Sequence, residues 1–202
     1  MNFLLKEFVR MEQKSKQIIA VVGMPGSGKS TVIQTLVKEY HLPSIHFGNL
    51  TIQEMRKRNL PENQESEKKV RQELRDRYGM GAYAHLSLPE IERLFVTHDS
   101  ILIDGLYSWK EYILLKEKSP AQIFLVSVIS RRKERYRRLA IRPYRPLTHE
   151  EAEKRDFAEI ETLEKGGPIA LCDYYLTNDG GLEELKRSIR DIASALGLSD
   201  RP

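Results

Sequence analysis

Polar and apolar positions along the chain fall into two alternating rhythms. Five residues, Ile18-Ile-Ala-Val-Val22, are apolar without interruption. A short, β-branched run of this kind suits a strand buried on both faces. The same signature returns over 100–104, 121–129 and 173–178, and more weakly over 42–47. Between these runs the apolar residues recur at helical spacing. The pattern predicts helices over 31–40, 48–59, 62–78, 82–98, 109–118, 130–141, 149–165 and 182–196. Strands alternating with helices imply an α/β fold: a parallel, doubly wound sheet of about five strands with helices on both faces. One domain over 17–202 accounts for this, with 48–98 and 142–165 as helical excursions.

Local signals refine these elements. The segment 62–78 has few apolar residues, Val70 and Leu74 among them, so it is expected to stand away from the core. The helix over 82–98 is expected to break near Leu88-Pro89, because an internal proline removes a backbone donor and crowds the preceding turn. Gly166-Gly167-Pro168 is expected to end the helix that Thr148 opens with Glu151 in a capping box. Ser130 is the expected cap of the helix over 130–141. Residues 1–16 mix Phe3, Leu4, Leu5, Phe8 and Val9 with Lys6, Glu7 and Arg10, which predicts a helical extension rather than a signal peptide.

The first strand runs straight into chemistry. Gly23-Met-Pro25-Gly26-Ser27-Gly28-Lys29-Ser30-Thr31 matches G-x-x-x-x-G-K-[ST], the phosphate-binding loop. Its glycines let the backbone curl so that successive N–H groups face phosphate oxygens. Lys29 reaches the β- and γ-phosphates, and the Ser30 hydroxyl is suited to Mg²⁺. The helix beginning here points its positive end at the same anion. ATP and Mg²⁺ are therefore the expected ligands. Asp104 closes the run over 100–104, at the carboxyl edge where open α/β sheets bind ligands. There it would hold the metal directly or through water.

Composition narrows the alternatives. No apolar run approaches the length of a membrane span. The single Cys172 cannot form an internal disulfide, and the cytoplasm is the expected compartment. The five histidines are scattered without cysteine partners, which disfavours zinc. The net charge of +4 is too mild to demand a nucleic-acid partner. The local excess is stronger: Arg131, Arg132, Arg135, Arg137, Arg138, Arg142 and Arg145 fall within one stretch. Helical spacing puts Arg131, Arg135, Arg138 and Arg142 on one face and Arg137 on another. Guanidinium groups there suit the charge that develops in phosphoryl transfer. Binding to nucleic-acid phosphates is the less favoured alternative.

These motifs occur together with Gly48-Asn49, Ile-Asp104-Gly105, Arg135-x-x-Arg138-Leu…Arg142, Arg155-Asp156 and Cys-Asp173-Tyr-Tyr-Leu-Thr-Asn178. In that combination the chain resembles the nucleoside monophosphate kinase superfamily, and within it the small dephospho-CoA kinase-related, adenylate-kinase-like P-loop proteins. The resemblance covers 17–196. It implies a mobile acceptor-binding region over 48–98 and a lid over 142–165. It implies catalytic roles for Lys29, Asp104, Arg138 and Arg142, and ATP contacts from residues 23–31 and from Asn178 near the adenine. Related kinases often carry a phosphate-gripping arginine where Ile52 and Tyr107 stand here. The acceptor site would then comprise Gly48, Asn49 and Tyr107, with Arg56, Arg71 or Arg75 as substitute grips. Ordinary nucleoside monophosphates are therefore expected to be poor acceptors, the alternative being that Arg56 or Arg75 reaches the same phosphate. The expected activity is ATP- and magnesium-dependent phosphoryl transfer to a nucleotide-like small molecule. The alternative is a nucleic-acid-binding or regulatory ATPase.

Overall fold

The computed structural model describes residues 16–199. The expected extension over 1–16 lies outside the described residues, apart from Lys16. Five strands form one sheet: β1 (Gln17–Val22), β2 (Ser44–His46), β3 (Ser100–Asp104), β4 (Gln122–Ile129) and β5 (Tyr174–Thr177). Their order is β2-β3-β1-β4-β5 and every pairing is parallel. The helices among the described residues are α1 (Lys29–Tyr40), α2 (Gly48–Lys57), α3 (Gln64–Tyr78), α4 (Ala82–Leu94), α5 (Trp109–Lys118), α6 (Arg132–Ile141), α7 (His149–Glu161), α8 (Gly166–Ala170) and α9 (Leu182–Ala195).

The alternation of side chains along β1 divides the core in two. Ile18, Ala20 and Val22 join Met55, Val70, Tyr83, Ile91 and Leu115 on one face. Ile19 and Val21 join Val32 and Leu36 of α1 and Leu185 and Ile189 of α9 on the other. Both faces of the sheet are thus covered, as a continuously apolar parallel strand requires. β1 and β4 are neighbours, yet the chain leaves them towards opposite edges, to β2 and β5. The crevice at their carboxyl ends is the switch point where such sheets take ligands.

Four local expectations change. First, α3 does not stand apart: Val70 and Leu74 are buried in the first core, and Tyr78 packs against it. Two apolar residues at i and i+4 suffice to dock one stripe. Second, α4 continues through Pro89 to Leu94. Tyr83, Ala84, Ser87 and Ile91 are buried on both sides of the proline, and this packing offsets a helix-interior penalty of about 3 kcal/mol. Third, α7 stops at Glu161, and Gly166-Gly167-Pro168 opens α8 instead of ending α7. Pro168 sits in the first turn, where a missing N–H costs no intrahelical bond. Fourth, Ser130 caps nothing: its hydroxyl donates to Asp179 Oδ1 at 2.7 Å, and α6 begins without a side-chain cap. The Thr148–Glu151 capping box forms in both directions, as expected.

Candidate functional site

The loop between β1 and α1 is set by glycine geometry. Gly26 has φ 77° and Gly28 φ 102°. A Cβ on Gly26 would lie 2.6 Å from the Arg135 carbonyl oxygen, and one on Gly28 would overlap the Asn178 amide. The loop is therefore clasped from outside. Asn178 Nδ2 donates to the Ser27 carbonyl at 2.8 Å, and Arg135 Nη1 donates to the Pro25 carbonyl at 3.0 Å. Lys29 arches back over the loop, its Nζ donating to the carbonyls of Gly23 (2.9 Å) and Met24 (3.1 Å). Burial lowers its pKa to about 7, and the nearby Lys165 ammonium pushes the same way, while Glu159 and Asp104 resist. Ser30 is exposed at the start of α1 and Thr31 follows with its amide on the Gly28 carbonyl at 3.0 Å.

Asp104 ends β3 beside His46, its register partner on β2. His46 Nδ1 lies 2.9 Å from Asp104 Oδ2, off the line of a good hydrogen bond. Lys29 and Asp104 thus share one electrostatic environment. No group of three or more metal-ligating side chains occurs among the described residues. The Ser30 hydroxyl and Asp104 carboxylate are hard oxygen donors, which suits Mg²⁺, an ion that keeps phosphate oxygens and waters in most of its positions.

A second set of charges comes from α6, α7 and the turn after α7. Arg135 and Asp156 form a bidentate ion pair at 2.9 and 2.6 Å, each residue 7% exposed, and Tyr136 Oη adds a bond to the same carboxylate. This pair fixes α7 on α6 while Arg135 also holds the phosphate loop. Arg155 donates to Glu159 at 3.0 Å, and Glu159 is paired with Lys165. Burial works against the Glu159 charge, yet the two cations hold its carboxyl below its ordinary value. Lys165 is 1% exposed, with its Nζ 5.1 Å from the centre of the Tyr107 ring. Burial, followed by the carboxylates of Asp104, Glu159 and Glu111, raises the Tyr107 phenol.

Beside these charges lies a cavity of about 610 Å³, a size that suits a small molecule. Gly48, Asn49, Thr51 and Ile52 of α2, Glu67, Arg71 and Arg75 of α3, and Tyr83 of α4 line it. His46, Tyr107, Arg145, Arg155, Glu159 and Leu163 complete the wall. Arg145 Nη2 donates to Glu67 Oε1 at 2.8 Å, joining the segment after α6 to α3 across the cavity. That bond, led by the Arg145 hydrogen bond, holds Glu67 below its ordinary pKa. Arg155 and Glu159 do double duty: they line the cavity, and their charges act on Lys29.

The residues singled out from sequence distribute as follows. Gly48, Asn49, Arg75 and Tyr107 meet at the cavity. Arg56 does not: it points to solvent in an ion pair with Glu62 at 2.7 Å. Arg138 bonds the Asn178 carbonyl at 2.7 Å and Ser130 Oγ at 3.2 Å, and Arg142 Nε bonds the Arg145 carbonyl. The arginines expected on one face part company. Arg131 pairs with Asp179 and Arg135 is buried. Arg137 is exposed with Glu134 at 3.0 Å, as its spacing predicts. Sequence reasoning missed Lys165, Glu159 and Glu111. Glu111, fully buried, takes the amides of Tyr107 (2.7 Å) and Ser108 (2.9 Å), and burial pushes its carboxyl up to about 7. Ser108-x-x-Glu111 is itself a capping-box pattern, the one signal that could have pointed to it.

Comparison with known proteins agrees with this geometry. A family model described as an AAA domain matches residues 19–161. A UPF0200 protein of Thermococcus sibiricus is 33% identical over 187 residues, covering 91% of this chain and 97% of its own. The chain belongs to the AAA-domain and UPF0200 families. Among solved structures it is similar to a shikimate kinase from Bacteroides thetaiotaomicron, at 14% identity and TM-score 0.57, over 90% of this chain and 98% of that one. It is also similar to a gluconokinase from Sinorhizobium meliloti, at 16% identity and TM-score 0.52, over 90% and 95% of the two chains. At these identities the likeness is one of fold. The P-loop kinase fold is the architecture that the UPF0200 chain adopts.

Proposed function

We propose that this protein is a magnesium-dependent kinase that transfers the γ-phosphoryl group of ATP to a nucleotide-like small molecule. The observation that carries this reading is the electrostatic link between loop and cavity. The charges of Arg155, Glu159 and Asp104 act on Lys29, and Arg155 and Glu159 also line an open cleft of small-molecule size. In the proposed reaction an acceptor oxygen bonds the γ-phosphorus as the bond to the β–γ bridging oxygen breaks, and ADP leaves. Lys29 and Arg155 stabilise charge on the transferring group. Asp104 orients the acceptor oxygen. Ser30 and Asp104 would hold magnesium, which would supply charge neutralisation when bound. The segment 142–165 acts as a lid that excludes water, and 48–98 holds the acceptor.

The basic stretch gives no support to nucleic-acid binding. Arg131, Arg132, Arg135, Arg137 and Arg145 pair with carboxylates, while Arg138 and Arg142 bond carbonyls. Acidic partners interleaved with this stretch lower its net positive charge, which does not favour binding along a phosphate backbone. A coupled ADP-release assay tests the proposal, run across nucleoside monophosphates and dephospho-CoA with a no-acceptor control and Lys29→Ala. Acceptor-dependent release, lost in the variant, is expected. Release that ignores every acceptor would make the protein an ATPase.

A further inference from the structure

A second cavity lies along α6, off the face that holds the phosphate loop. Arg135 and Leu139 of that helix face inward and are buried. Arg132, Tyr136 and Ala140 recur at i, i+4 and i+8 and form the stripe beside them. With Lys133, Arg137 and His149 at the start of α7, this stripe lines a space of about 440 Å³. That volume suits a small molecule. None of the six residues lines the larger cavity described above.

The lining carries one sign of charge. Arg132, Lys133 and Arg137 border it, and no carboxylate does. Arg132 lies 3.9 Å from Glu153 and Arg137 3.0 Å from Glu134, in solvent-exposed pairs that hold little energy. Lys133 is exposed and makes no ion pair among the described residues. Between the cations stands an aromatic wall. The Tyr136 and His149 rings meet edge to face at 5.0 Å, with 82° between their planes. Tyr136 is only 6% exposed, so its ring is set in the wall. Cations beside such a wall suit an organic anion that carries a flat ring.

Tyr136 also joins this cavity to the phosphate loop. Its hydroxyl donates to Asp156 Oδ2 at 3.2 Å. The same carboxylate takes both Arg135 bonds, and Arg135 donates to the Pro25 carbonyl at 3.0 Å. All three side chains in this series are buried. A ligand that favours one placement of the Tyr136 ring therefore acts on bonds that end at the loop.

We propose that this cavity is a second ligand site, for an organic anion bearing a flat ring, and that its occupancy changes nucleotide affinity through Tyr136, Asp156 and Arg135. The site is regulatory and takes no part in phosphoryl transfer. It does not depend on which acceptor the larger cavity admits.

The test uses the full chain with isotope-labelled histidine, magnesium and a non-hydrolysable ATP analogue. Phenyl phosphate, inorganic phosphate and phenol are titrated separately and followed by NMR. The His149 signal, identified by its loss in His149→Gln, reports this cavity, and the His46 signal reports the larger one. Phenyl phosphate should move the His149 signal with millimolar or tighter affinity. Inorganic phosphate and phenol, each lacking half of the contacts, should bind at least about tenfold more weakly. So should phenyl phosphate in the double variant Lys133→Gln, Arg137→Gln, whose melting temperature should match the wild type. Saturating phenyl phosphate should change analogue affinity by about fivefold or more. In Tyr136→Phe, which keeps the ring and loses the bond to Asp156, the His149 response should persist and the effect on the analogue should vanish. A still His149 signal overturns the site, and so does movement of His46 alone. Equal affinity for inorganic phosphate would reduce the cavity to a bare cationic patch and overturn it too. A His149 response with unchanged analogue affinity keeps the site and overturns its coupling to the loop. Failure of the analogue to bind overturns the kinase reading, and the His149 titration still decides the site.

Discussion

In the proposed phosphate site, the groups offered to a ligand are backbone amides and one lysine, all within residues 23–31. Around the cavity they are side chains, drawn from α2, α3, α4, the turn after β3 and the segment after α6. The two regions are linked by charge: Arg155 and Glu159 of the cavity wall, and Asp104 at the end of β3, all act on Lys29. The first is built by local conformation, and glycine dictates it. The second is built by tertiary contact, such as the Arg145–Glu67 bond between residues 78 positions apart. Local construction fixes a chemistry that many proteins share. On the proposed kinase reading, construction from distant segments would let the acceptor vary while the phosphate machinery stays the same.

The contrast can be broken hardest at the buried pair that joins α6, α7 and the loop. Asp156→Ala strands Arg135 and should cost about 3–5 kcal/mol. For a chain of this size that lowers the melting temperature by on the order of 10 °C. A shift under about 2 °C in a calorimetric scan would mean the two regions do not depend on this pair. Lys29→Ala should act on the other quantity. Turnover should fall by about 10²–10³, the scale for removing one donor aimed at developing charge, with melting nearly unchanged. Turnover near the wild-type value would sink the loop assignment. Arg138→Ala comes next. Losing its bond to the Asn178 carbonyl should cost about 1.5–3 kcal/mol, seen as slower turnover or weaker ATP binding. The exposed Arg137→Ala should stay within about 0.5 kcal/mol. Equal effects in both would erase the distinction between their two faces.

These experiments touch unequal parts of what the sequence revealed. The sheet was legible because buried parallel strands announce themselves as unbroken apolar runs, and Ile18–Val22 is the clearest of them. The loop was legible because its chemistry is contiguous. Helix ends near prolines were not. Pro89 and Pro168 carry the same signal, yet one lies inside α4 and the other opens α8. Tertiary packing and position within the turn separate them, and neither is written in the neighbouring residues. Within the cavity, Arg56 and Arg75 looked alike as helical arginines. Only the docking of Val70 and Leu74 into the core turns Arg75 inward, whereas Arg56 remains with Glu62 at the surface. Lys165 was hidden for the same reason: nothing local distinguishes a buried lysine from a solvated one until Glu159 is seen beside it.

The smallest expected effect concerns a proton. With its pKa lowered to about 7, Lys29 of the free protein is mostly neutral at pH 8 and mostly charged at pH 6. Phosphate oxygens favour the ammonium. Nucleotide binding at pH 8 should therefore take up close to one proton, and at pH 6 almost none. Calorimetry in buffers of different ionisation enthalpy measures this, with Lys29→Met as the blank. Equal uptake at both pH values would contradict the assignment. The sign for stability follows from the same shift. From pH 7 to about 10 the unfolded chain holds a proton on Lys29 that the folded chain has released. This residue's contribution to stability therefore rises with pH across that window, and its cost is greatest below pH 7.

The order of the strands also governs how the chain comes into being. β1 is among the first described segments to be synthesised, yet its nearest neighbour in the sheet begins 83 residues later, where Gln17 meets Ser100. Its other neighbour, β4, begins later still, at Gln122. At about 5–20 residues per second, the emerging chain waits roughly 4–20 s with Ile18–Val22 unpaired on both edges. During that interval the most apolar stretch of the nascent chain has no native strand beside it, and only helices such as α1 can cover it. The strand that carries the phosphate loop is thus the one that waits longest for its first neighbour.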